Sequence, residues 1–224
     1  MDQSPPRTAP PAERPPPEPE HEAEPGTRSS VRSAVEWVVI VVAALLAALL
    51  IKTFLLQAFY IPSDSMNPTL VQKDRVLVNK LSYHFHDVHR GDIVVFKRPP
   101  GENDPKIKDL IKRVIGLPGD TIEGRNGQIV VDGRTLNEPY VAKNSPMSDF
   151  PSPSHDACTQ VFGASCVQAA NGDWAVKIPS GHYFVMGDNR GNSKDSRVFG
   201  PISKSLLVGR AFIRVWPLSK ISLL

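Results

Sequence analysis

One segment limits the possible architecture more than any other: from Trp37 to Ile51 the chain carries no charged or strongly polar side chain. A helix over those fifteen residues is about 22 Å long, short of the ~30 Å hydrocarbon core of a bilayer. Continuing through Thr53, Phe54, Leu55 and Leu56 makes up the difference, with Lys52 reaching its amine to the interface. The run is apolar all round, whereas a core helix of a soluble domain usually keeps one polar face. More than thirty residues precede it, and Phe54-Leu55-Leu56-Gln57-Ala58-Phe59 offers no clear small-residue cleavage site, so it reads poorly as a cleavable signal peptide. The pattern predicts one transmembrane helix over 34–57. Arg28 and Arg32 favour a cytoplasmic amino end and an extracytoplasmic remainder; Lys52 votes weakly the other way.

The flanks differ sharply from the run and from each other. Residues 1–33 are dominated by proline and glutamate, as in Pro15-Pro16-Pro17-Glu18, and lack the apolar surface needed to offset ordering entropy. They read as a disordered cytoplasmic tail. Residues 58–224 show short β-like runs: 75–79, 92–96, 110–115, 128–131, 182–186 and 207–214. Asn126-Gly127 and Asp132-Gly133 mark tight turns on either side of 128–131. Residues 142–172, rich in Ser, Pro, Asn and Gly, read as a loop insertion. No strand–helix–strand alternation appears, which predicts a mainly β, antiparallel domain preceded by one transmembrane helix. The net charge of +3 is spread along the chain and forms no basic stripe, which argues against nucleic acid as a partner.

Two small clusters leave alternatives open. Cys158 and Cys166 are either two free thiols or, outside a membrane anchor, a short disulfide worth roughly 2–3 kcal/mol. His84, His86 and His89, with Asp87 among them, have donor types suited to a metal but no second ligand set; a solvated turn is the simpler reading, and no metal is expected.

Three stretches carry candidate chemistry. Ile61-Pro62-Ser63-Asp64-Ser65-Met66-Asn67-Pro68-Thr69-Leu70 places two serines one residue apart between prolines; alone, it is a turn. Lys112, on alternation, shares a strand face with the apolar Leu110 and Val114, where it must either reach solvent or lose hydration and, with it, basicity. Gly187-Asp188-Asn189-Arg190-Gly191-Asn192-Ser193-Lys194-Asp195-Ser196-Arg197 is a polar loop able to organise a site or simply to form a capped surface turn. No Gly-x-Ser-x-Gly elbow is present.

Taken in order, these stretches resemble bacterial type I signal peptidases. The resemblance rests on 61–70, on Gly91-Asp92-Ile93-Val94-Val95-Phe96, on Ile111-Lys112-Arg113 followed by Gly116-Leu117-Pro118-Gly119-Asp120, and on 187–197. It implies a membrane-bound serine endopeptidase with Ser65 as nucleophile and Lys112 as general base. The oxyanion hole would combine the Ser65 backbone N–H and the Ser63 hydroxyl. Ser193 would orient the Lys112 amine, with Asp195 and Arg197 supporting the site. Phe59, Ile61, Met66, Leu70 and Ile111 would line pockets for small residues, giving cleavage after Ala-x-Ala. The implied partners are exported preproteins bearing signal peptides, the lipid bilayer and, as a candidate, the export machinery; no cofactor is implied. Asp64 departs from relatives that carry glycine there; alternation points its carboxylate away from Lys112. Rival readings are a self-cleaving repressor-type peptidase, which would need a DNA-binding head, a non-catalytic signal-peptidase-like assembly factor for surface polymers, and an anchored β adaptor. Retention of both serine and lysine argues against the second.

Overall fold

The computed structural model describes residues 27–50, 55–100, 102, 104–105, 108–142, 145–151, 154–169 and 171–224. Most of the expected tail, residues 1–26, therefore lies outside the described residues. A helix spans Thr27–Leu50 and includes an apolar 18-residue stretch, Arg32–Leu49, of mean hydropathy 2.0. By length and composition it can cross a membrane. It begins earlier than the 34–57 expected, and Leu56 already belongs to a strand.

That strand, β1 (Leu56–Tyr60), opens the β domain. It is followed by β2 (Arg75–Asn79), β3 (Ile93–Lys97), β4 (Asp109–Gly116), β5 (Thr121–Arg125), β6 (Gln128–Val131) and β7 (Arg134–Thr135). Next come β8 (Cys166–Gln168), β9 (Trp174–Lys177), β10 (His182–Met186), β11 (Ile202–Ser203), β12 (Leu207–Trp216) and β13 (Ser222–Leu223). The larger sheet runs β1-β2-β12-β3-β4-β10-β11, with β13 paired to β12; the smaller runs β7-β6-β5-β9-β8. Among the described residues every strand pairing is antiparallel, as the sequence pattern predicts.

Local sequence explains much of this. In β2 the burial alternates, Val76 and Val78 inward and Arg75 exposed, the period-2 signature of a strand with one wet face. β3 is buried over its first four residues, as suits a strand flanked by β12 and β4. The hairpins β5–β6 and β6–β7 turn on Asn126-Gly127 (φ 51° and 73°) and Asp132-Gly133 (φ 49° and 76°), left-handed pairs that match strand twist.

The 142–172 region is more than a loop. It holds a helix, His155–Phe162, capped by the Ser154 side chain, and strand β8 at the edge of the smaller sheet. Cys158 and Phe162 anchor it in a core with Ile122, Ile129, Phe150 and Phe184, where the Phe150 and Phe184 rings stack at 5.4 Å. Four buried apolar residues, Met147, Phe150, Cys158 and Phe162, thus order a segment whose composition is otherwise polar. Cys158 and Cys166 are joined by a disulfide, with Cα atoms 5.8 Å apart.

Candidate active site

The four motif stretches meet at one place because buried ion pairs and backbone hydrogen bonds tie them together. The segment after β1 packs Ile61, Met66 and Leu70 into a core with Val76, Val78 and Val95. Between these anchors, Ser65 is held almost out of solvent, at 8% exposure. Its carbonyl accepts from the Asn189 amide at 3.1 Å, and the Asn189 side chain donates to the Asp64 carbonyl at 3.2 Å. The loop after β10 is thereby stitched to the serine segment.

A second tie runs through β4. Arg113 donates to Asp188 from Nε at 2.8 Å and from Nη2 at 2.6 Å, and Thr69 adds a further bond to the same carboxylate at 2.5 Å. Asp188 is fully buried. Arg113 also reaches the Gly91 carbonyl at 2.9 Å and lies 4.0 Å over the Tyr140 ring. Asp195, equally buried, accepts from Arg197 Nε and Nη2, each at 2.8 Å, and from the Gly187 amide at 3.1 Å. Arg190 pairs with Glu138 beneath the same loop. Such pairs add little net stability over an apolar core, but they define one geometry and are costly to break singly.

Lys112 stands opposite Val94 on β4, and its amine donates to Ser65 Oγ at 2.6 Å. The lysine is 4% exposed. Burial pulls its pKa down from 10.5 to about 8; the Asp195, Asp188 and Glu102 carboxylates oppose that pull and Arg197 assists it. At pH 7 roughly one molecule in ten then carries a neutral amine. With the amine neutral, the Ser65 hydroxyl can donate along the same line, which is the geometry proton abstraction requires.

Ser63 is exposed, with its Oγ 3.4 Å from Ser65 Oγ. Ser193 Oγ is buried and has no hydrogen-bond partner among the described residues. It does not bond the Lys112 amine directly. Its place is fixed through Gly187: a Cβ there would lie 2.3 Å from both Ser193 Oγ and the Ser65 carbonyl, so only glycine permits the approach. The Asp64 carboxylate accepts from Gln72 at 3.1 Å and is not among the charges that shift Lys112.

A cleft of about 650 Å³ opens beside Ser65 and Lys112. Of the five residues assigned to substrate pockets, Phe59, Ile61 and Ile111 line it. Met66 and Leu70 do not: both are fully buried and pack with Ile61 in the underlying core. Alternation along an irregular segment could not separate wall from core. His84, His86 and His89 are exposed, and among the described residues no cluster of three His, Cys, Asp or Glu side chains is placed to hold a metal. Three participants carried no assigned role in the sequence. Asp188 and Arg113 meet across 75 positions, a pairing no spacing signals. Glu102 comes from the β3–β4 connection, outside every motif.

Residues 34–216 match the family model described as "Signal peptidase, peptidase S26". The chain is similar to a probable signal peptidase I-2 of Synechocystis sp., 39% identical over 78% of this chain and 69% of the relative. It is similar to signal peptidase IB of Staphylococcus aureus, 37% identical over 76% of this chain and 83% of the relative. Among solved structures, a signal peptidase I from Enterococcus faecalis V583 aligns with a TM-score of 0.41 at 31% identity, covering 56% of this chain and 97% of that one.

Proposed function

Because the chain belongs to the peptidase S26 family of signal peptidases, we propose that it is a type I signal peptidase that removes signal peptides from exported preproteins by serine–lysine chemistry. The observation that carries the reading is the 2.6 Å contact between the buried Lys112 amine and Ser65 Oγ.

The neutral Lys112 amine takes the Ser65 proton as Oγ attacks the carbonyl carbon of the signal peptide's last residue. The oxyanion that forms is held by the Ser65 backbone N–H and the Ser63 hydroxyl. Collapse expels the mature chain's amino group, which receives the proton from Lys112, and leaves the signal peptide acylated on Ser65. Lys112 then takes a proton from water, whose oxygen attacks the ester; as the tetrahedral intermediate collapses, Lys112 returns that proton to the departing Ser65 Oγ and the signal peptide is freed with a new carboxyl end. Ser193, whose buried hydroxyl is without a hydrogen-bond partner among the described residues, is the group to turn to the amine and orient it through these transfers, while Asp195 and Arg197 hold the loop that carries it.

Phe59, Ile61 and Ile111 form shallow apolar walls whose depth is already filled by Met66 and Leu70, which suits the small side chains of Ala-x-Ala. The apolar helix anchors the enzyme in the bilayer with its amino end cytoplasmic, a tail over 1–33 and the peptidase domain outside. Holding enzyme and signal peptide in one membrane raises their effective concentration; the export machinery is a further candidate partner. The test is to incubate the enzyme in detergent–phospholipid micelles with a preprotein carrying Ala-x-Ala and to sequence the product's amino end. The reading requires cleavage after the second alanine, lost when either alanine becomes a large residue. Cleavage indifferent to those substitutions refutes the pocket assignment.

A further inference from the structure

Asn189 holds the peptide groups on both sides of the nucleophile. Its Nδ2 donates to the Asp64 carbonyl at 3.2 Å, and its backbone amide donates to the Ser65 carbonyl at 3.1 Å. A peptide group is planar, and in the trans form its C=O and N–H point opposite ways. The Asp64 carbonyl and the Ser65 N–H belong to one such group, so a bond at that oxygen fixes the direction of the N–H. The same oxygen accepts the Asn67 amide at 3.0 Å, a local turn bond, and Asn189 adds a tie from a distant part of the chain. Among the described residues the Ser65 N–H itself donates to no protein acceptor. The Asn189 amide is oriented in its turn. The Ser145 hydroxyl donates to Asn189 Oδ1 at 3.1 Å and accepts from the Gly191 amide at 3.1 Å. With Oδ1 taken by Ser145, Nδ2 is the end of the amide that faces Asp64.

We infer that Asn189 is a positioning residue that aims the Ser65 N–H at the oxyanion, and that Ser145, from the 142–172 segment outside every motif, sets the Asn189 amide. The inference rests on the reading of that N–H as an oxyanion donor. Two bonds on the Asp64 carbonyl also polarise the N–H across the same peptide, which makes it a stronger donor. A mis-aimed donor costs most when full charge sits on the oxygen, in the transition state, so its loss falls on kcat rather than on KM. Neither Asn189 nor Ser145 bonds the Lys112 amine, whose partner is Ser65 Oγ, so the pH at which the base becomes competent stays in place.

The experiment measures kcat and KM on an Ala-x-Ala preprotein from about pH 6 to about pH 10, with the full-length chain in detergent–phospholipid micelles. It compares wild type, Asn189→Ala, Ser145→Ala and Ser65→Ala, each checked for folding by thermal unfolding. A second readout is the affinity of a peptide boronic acid: Ser65 Oγ bonds the boron, its proton passes to Lys112, and a boron-bound oxygen takes the oxyanion position. Asn189→Ala lowers kcat roughly 10- to 100-fold, and Ser145→Ala lowers it roughly 3- to 10-fold. KM and the acidic limb hold in both, while boronate affinity falls in step with kcat. An unchanged kcat in folded Asn189→Ala, a loss confined to KM, a shifted limb, or boronate affinity that holds while kcat falls each overturns the inference and leaves the serine–lysine reading intact. If Asn189→Ala fails to fold, Ser145→Ala decides, and a kcat within about twofold of wild type overturns the inference. Cleavage by folded Ser65→Ala overturns the serine–lysine reading itself, and the inference with it.

Discussion

Replacing Lys112 by methionine should inactivate the enzyme and make it more stable at neutral pH. The lysine's folded-state pKa, about 8, lies below its unfolded value of 10.5. The folded protein is therefore penalised in full below pH 8, progressively less between 8 and 10.5, and not at all above. At about 1.4 kcal/mol per pH unit the penalty is about 3 kcal/mol. Methionine fills a similar volume without charge, while the lost bond to Ser65 gives back about 1 kcal/mol. The net gain of about 2 kcal/mol raises the unfolding midpoint by about 4–8 °C for a domain of this size. Thermal unfolding in detergent micelles at pH 7 and again at about pH 10.5 measures it. The variant should lead at pH 7 and lose the lead by pH 10.5. A variant no more stable than wild type at pH 7, or equally advantaged at both, would refute the claim that Lys112 is held in a site that disfavours its charge.

Three further outcomes follow from the same geometry. With Ser63 as the proposed oxyanion donor, Ser63→Ala should lower kcat about 100-fold with KM little changed; a rise in KM alone would assign Ser63 elsewhere. Asp188→Ala strands the buried Arg113 guanidinium and should cost about 3–5 kcal/mol in urea unfolding. Cys158→Ala combined with Cys166→Ala should cost about 2–3 kcal/mol for the lost cross-link while leaving kcat unchanged, since neither residue lines the cleft.

Sequence legibility tracked how local the deciding physics was. The alternation of β2 and the Asn-Gly and Asp-Gly turns are written in neighbouring residues, and the structure carries them as expected. β1 was not legible: Leu56–Tyr60 follows the apolar run closely and is itself mostly apolar, and its ladder with β2 is what makes it a strand. The helix within 142–172 was hidden for the opposite reason, because its polar composition masked the two residues, Cys158 and Phe162, that bury it. At the candidate site, Ser65 and Lys112 stood out through ordered motifs. The ion pairs nearby, Arg113 with Asp188 and Glu102 with Lys194, meet only in the folded chain, and a charged residue in sequence gives no sign of which distant charge it will find. Met66 and Leu70 differ from Ile61 in accessibility rather than in character, so their place in the core rather than the wall needed coordinates.

The most direct test compares wild type, Ser65→Ala and Lys112→Ala on one Ala-x-Ala preprotein in micelles, with folding verified for each. The account predicts cleavage by the wild type and none by either variant, since nucleophile and base act as one unit across a 2.6 Å contact. Retained cleavage by folded Lys112→Ala would contradict it and place the base elsewhere.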